Sequence, residues 1–110
     1  MNPTRRYRQI QIQVAQWLSG QAGRPGCRID TKQNGSAREG WFYIAHIDTP
    51  SHVCIINVNT PTFAPYRHIC IEALSLANGQ TRHCWHDGGR NPDNHEILAQ
   101  LQQLAELIFR

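Results

Sequence analysis

The sequence predicts an α+β fold, with an N-terminal helix, a four- to five-stranded antiparallel meander sheet and a C-terminal helix. Three observations carry this. Apolar residues recur at helical spacing at both ends of the chain. The stretch between them breaks into short runs rich in β-branched and aromatic residues. Turn-forming residues separate those runs at hairpin distances. The 110 residues suffice for one domain, 1–110, and are too few for two.

Residues 4 to 19 carry two competing patterns. Tyr7, Ile10, Val14, Trp17 and Leu18 recur at helical spacing, whereas Ile10, Ile12 and Val14 alternate with glutamines as in a strand. Length and the Ser19-Gly20 ending, with Gly suited to the residue after a helix, favour the helix. Ile12 then falls off the apolar stripe and is expected at the surface. Residues 20 to 26 read as a loop, followed by a short strand from Cys27 to Lys32 and a tight turn at Asn34-Gly35. Trp41 to Ile47 and Val53 to Val58 read as strands around the turn Asp48-Thr49-Pro50-Ser51. Residues 59 to 66, with Pro61 and Pro65, read as a loop. His68 to Leu76 and Thr81 to His86 form a second hairpin around Asn78-Gly79. The C-terminal helix is the clearest element. Ile97, Leu98, Leu101, Leu104, Ala105 and Ile108 make one stripe, preceded by Asn91-Pro92 or by an Asp93/Glu96 capping box.

Composition narrows the function classes. The mean hydropathy is −0.52, and no apolar run reaches the roughly 18 residues needed to span a bilayer, so no membrane partner is expected. The start of the chain lacks the apolar stretch of a secretory signal, which predicts a cytoplasmic protein with reduced thiols. Cys27, Cys54, Cys70 and Cys84 are therefore expected as free thiols rather than a disulfide framework. The formal net charge is only +3, modest for a nucleic-acid binder. Of the eleven basic residues ten are Arg, and Lys32 is the exception. The planar guanidinium suits phosphate or carboxylate, so Arg5, Arg6, Arg8, Arg67, Arg82 and Arg90 are the nucleic-acid or anion candidates. Arg90 follows Gly88-Gly89 ahead of a helix, a place where backbone N–H groups can gather around an anion.

The turns suggest cross-strand registers. A three-residue loop at Thr49 to Ser51 sets Asp48 opposite His52 and His46 opposite Cys54, with both faces of the hairpin apolar. A sheet apolar on both faces needs a cover on each. Either the helices lie on opposite faces, or both lie on one face and a second subunit covers the other. This predicts a homodimer. In the second hairpin a two-residue turn sets Leu74 opposite His83 and Glu72 opposite Trp85, gathering His68, Cys70, Glu72 and His83 on one face as ligand or metal candidates. His52-x-Cys54, His68-x-Cys70 and His83-Cys84-x-His86 supply the right ligand types, but no closed knuckle spacing accompanies them, so no metal or cofactor is assigned. A His46–Cys54 pair could lower the thiol pKa but has no orienting third group, and a diagonal Glu72–His83 pair reads equally as a salt bridge, so no catalytic residue is assigned either. Asp87, Asn91, Asp93 and Glu96 are oxygen-rich, but they miss the calcium-loop spacing and read as turn and cap chemistry. The expectation is a small intracellular binding or regulatory module, leaning away from an enzyme. It would act through a protein partner or single-stranded nucleic acid, with Trp41, Tyr43, Tyr66 and Trp85 as a stacking platform. The alternative is a small ligand- or metal-binding protein or enzyme using the His/Cys/Glu face.

Overall fold

The computed structural model describes residues 3–61 and 68–109. The elements run α1 (Pro3–Gln21), β1 (Arg28–Ser36), β2 (Gly40–Asp48), β3 (His52–Asn59), β4 (Ile69–Ser75), β5 (Thr81–His86) and α2 (Asn94–Ile108). The α+β meander is as the sequence predicts. Every strand is antiparallel to its chain neighbour, in the order β1-β2-β3-β4-β5. Arg67 and Tyr66, and most of the loop expected over 59 to 66, lie outside the described residues.

Both helices pack on the same face of the sheet. Tyr7, Ile10, Val14 and Leu18 of α1 and Ile97, Leu101, Leu104 and Ile108 of α2 bury their stripes. They meet Tyr43, Ala45 and Ile47 of β2, Cys54, Ile56 and Val58 of β3, and Ile69, Ile71 and Ala73 of β4. Each fully buried aliphatic side chain contributes about 1.5–3 kcal/mol of transfer free energy, so this one layer dominates the stability. Ile12 is 52% exposed, off the stripe as its helical phase requires. The α2 N-cap is Asp93, whose side chain accepts from the Glu96 backbone N–H at 2.8 Å.

Three expected turns differ. First, α1 runs through Ser19-Gly20 to Gln21, and the chain reverses later, where Gly26 takes a φ of 74°. Second, Asn34-Gly35 is not a turn. β1 continues through it to Ser36, and the chain reverses over residues 37–39, where the Ser36 hydroxyl accepts from the Glu39 N–H. Gly35 lies opposite Trp41 with φ 126°, and an added Cβ would sit 2.2 Å from the Gly40 carbonyl oxygen. Glycine is needed there for close backbone approach rather than for a tight turn. Third, the β2–β3 connection is Thr49–Ser51 as expected, but the ladder is one residue out of the expected register, with the Thr49 N–H donating to the His52 carbonyl at 2.9 Å. The Thr49 hydroxyl accepts from the Ser51 and His52 N–H groups, and the first pair is Asp48 with Val53. That one-residue slip moves Cys54 opposite Ile47, and His46 opposite Ile55. The expected His46–Cys54 pair is thereby split between the two faces of the sheet.

The β4–β5 register also differs. The reversal spans residues 76–79 rather than two residues, with the Ser75 N–H donating to the Gln80 carbonyl and Leu74 facing Thr81, and a bulge between Ala73 and Leu74 then sets Glu72 opposite Cys84, Cys70 opposite His86 and Ala73 opposite His83. His83 and Trp85 therefore point to the helix side, away from Cys70, Glu72 and Leu74.

Candidate functional site

With both helices on one side, the other side of the sheet presents a continuous face. Its rows follow from the registers. One row reads Asp30, His46, Ile55, Glu72, Cys84 from β1 to β5; the next reads Lys32, Ile44, Asn57, Cys70, His86; and Arg28, Asp48, Val53 and Leu74 form a third. Ile44, Val53 and Ile55 are half-buried by their neighbours and Leu74 is exposed. Between them lies a depression of about 160 Å³, with an apolar floor at Val53, Ile55 and Leu74 and His46, Asp48 and Glu72 on its rim. An alternating sheet wet on one side should be polar there, and the centre of this face is not.

The four ligand candidates do not converge. His68 is buried just before β4 and its Nδ1 lies 3.0 Å from the Asn59 carbonyl, which accepts from it. Cys70 and Glu72 lie on the open face, and His83 on the helix side with its Nε2 buried and without a hydrogen-bond partner among the described residues. The bulge instead sets Cys70 and Glu72 beside Cys84 and His86. The His86 Nδ1 accepts from the Gly88 N–H at 3.0 Å, and no group of three or more His, Cys, Asp or Glu among the described residues is placed to hold a metal ion. All four cysteines are free. Burial pushes the Cys54 thiol up to about 12, with Asp48 and Cys27 adding to it. Burial likewise pushes Cys70 up to about 11, with Glu72, Cys84 and Asp87 adding to it. Thiols held protonated in this way are poor nucleophiles at neutral pH.

The arginines divide by role. Arg6 is 6% exposed and clamps the segment before α2. It donates to the Asn91 side chain at 2.8 Å, the Asn94 side chain at 2.9 Å and the Pro92 carbonyl at 2.6 Å. Burial lowers its pKa and Asp93 partly offsets this. Arg90 is committed to Glu96, which holds the Glu96 carboxyl below its usual range. The Gly88 and Gly89 N–H groups are taken by His86 and by Asp87, so the donors expected for an anion are used within the chain. Asp87, fully buried, also accepts from the His68 and Ile69 N–H groups at 2.5 and 3.1 Å. Arg5 and Arg82 are exposed, and Arg8 lies over the Trp41 ring at 5.3 Å.

A second concavity lies on the helix side, between α1 and the β1–β2 hairpin. It measures about 250 Å³ and is lined by Tyr7, Arg8, Gln11, Gln33, Gly35 and Trp41. Sequence reading missed it because its residues come from two segments. The available signal was the spacing of Arg8 and Gln11, one helical turn apart along the edge of the α1 core stripe. Of the expected aromatic platform, Tyr66 lies outside the described residues and the other three are not on the open face. Tyr43 is buried, and Trp41 and Trp85 pack against the core on the helix side. Among the described residues no helix is long and apolar enough to cross a membrane. Comparison with protein-family models, with curated proteins and with solved structures gives no match.

Proposed function

We propose that the chain is a binding module that acts through protein contact, and that its first partner is a second copy of itself laid against the open face of the sheet. The observation that carries this is the placement of both helices on one side, which leaves Ile44, Val53 and Ile55 only half-buried and Leu74 exposed among the described residues. Size supports it. Five strands averaging about eight residues span roughly 24 by 26 Å, a footprint whose corrugated surface approaches the ~800 Å² per partner of a stable interface. Charge supports it too. His46 and Glu72 flank Ile55 symmetrically, one strand to either side in the same row. A two-fold axis along β3 would set Ile55 over Ile55 and each His46 over the other copy's Glu72, the self-complementarity that such an interface requires. Aligned sheet-on-sheet packing tolerates that axis.

Sedimentation equilibrium tests the reading. The wild type is expected to run as a dimer at tens of micromolar and Ile55→Arg as a folded monomer with an unchanged far-UV spectrum. A wild type that stays monomeric at about 100 μM, well above the Kd of a standard-size interface, would overturn it. The aromatic side chains on the helix side favour a protein partner over single-stranded nucleic acid. A low-salt titration with a single-stranded oligonucleotide separates the two, because phosphate contacts are strongest there.

A further inference from the structure

We infer that the cleft between α1 and the β1–β2 hairpin is a binding site for a small oxyanion-bearing ligand, a phosphate or a carboxylate, gripped by Arg8. The cleft lies on the helix side, so this inference is independent of the proposed dimer face. Its lining holds one guanidinium, the Gln11 and Gln33 carboxamides and the Trp41 indole, and no carboxylate. Arg6, two residues earlier, is spent on Asn91, Pro92 and Asn94, while Arg8 makes no ion pair and no hydrogen bond among the described residues. Its contact is the face of Trp41, 5.3 Å from the ring centroid, which holds the guanidinium over the indole without using its N–H donors. A guanidinium held over an indole by cation–π attraction has lost part of its rotamer freedom before any ligand arrives, which lowers the entropic cost of binding. Two N–H groups in a fixed fork match two oxygens of a phosphate or carboxylate. The carboxamide N–H₂ groups of Gln11 and Gln33 supply further donors without adding a competing negative charge. Gly35 lets the hairpin backbone pass close to Gly40, and Trp41 lies across from it at the end of the cleft.

The test is an amide and indole NMR titration of the intact protein at low salt, with inorganic phosphate and separately with benzoate. Shifts confined to Arg8, Gln11, Gln33 and the Trp41 indole are expected. Saturation by phosphate alone, benzoate alone or both identifies the source of the oxyanion, and each of these supports the site. Arg8 is exposed, so its variants should fold. Arg8→Ala is expected to weaken binding about tenfold or more, and Arg8→Lys, which keeps the charge but loses the fork and the stack, by less. No localised shift with either probe up to about 20 mM, a concentration that would reveal even millimolar affinity, would overturn the inference. Shifts spread equally over Arg5, Arg24 and Arg82, or unchanged in Arg8→Ala, would overturn it as well.

Discussion

The Arg6 guanidinium and the Asp87 carboxylate carry opposite charges but solve the same problem, the backbone groups left over where strands end and α2 begins. Arg6 supplies donors to the Pro92 carbonyl and two Asn side chains, and Asp87 supplies acceptors to three N–H groups. Removing either leaves buried polar groups unpaired. Arg6→Ala is therefore expected to cost about 2–3 kcal/mol in urea unfolding, whereas exposed Arg5→Ala should stay within about 0.5 kcal/mol. The cysteines give a second expectation at this scale. Exposed Cys84 should react first with iodoacetamide at pH 8, and Cys54 and Cys70 last, as read by mass spectrometry of partly labelled protein. Folded thiols near 12 and 11 lie above the roughly 8.5 of an unfolded cysteine, so the folded state favours the protonated form. That stability is fully present below about pH 8.5 and is lost as pH rises toward 11–12, which urea midpoints measured across that range would show.

Elements were legible where periodicity was long. α2 shows its stripe over four turns, and the core uses Ile97, Leu101, Leu104 and Ile108 as that stripe implies. Leu101→Ala should accordingly cost about 2–5 kcal/mol by denaturant melt. Registers were not legible, because a turn residue identifies a reversal without fixing its length. Asn34-Gly35 is a strong hairpin signal, yet here the glycine answers to the Gly40 carbonyl across the ladder. Gly35→Ala should be markedly destabilising for that reason, whereas Gly79→Ala, with open space around its Cβ, should show only the cost of its positive φ. The bulge that moves His83 away from Cys70 and Glu72 has no signature in the residues around it, since no glycine or proline marks Ala73, Leu74 or Arg82. One unsignalled residue of slip was enough to exchange a His68, Cys70, Glu72, His83 grouping for Cys70 and Glu72 beside Cys84 and His86.

At the scale of the whole molecule, the doubly apolar hairpin read from β2 and β3 did carry through. It posed a choice between helices on both faces and helices on one, and the structure has both on one. What the sequence did not reveal was how the helices are held in place. Arg6 joins the start of α1 to the approach of α2, and Arg24 lies over the Phe109 ring at 4.4 Å, joining the loop after α1 to the end of α2. If the open face is the dimer interface, the oxyanion cleft faces outward on each copy, and Ile55→Arg should leave phosphate binding unchanged while abolishing association.

The meander order has a kinetic consequence. Each strand finds its partner next to it along the chain, so the sheet can assemble through short loop closures. The helices are different, because Arg6 must meet residues 85 to 88 positions away. Closure of the two ends should therefore be the late event, after the barrier rather than before it. Stopped-flow measurements on Arg6→Ala should then find unfolding accelerated and refolding nearly unchanged, with the clamp acting as a latch on a sheet that has already formed.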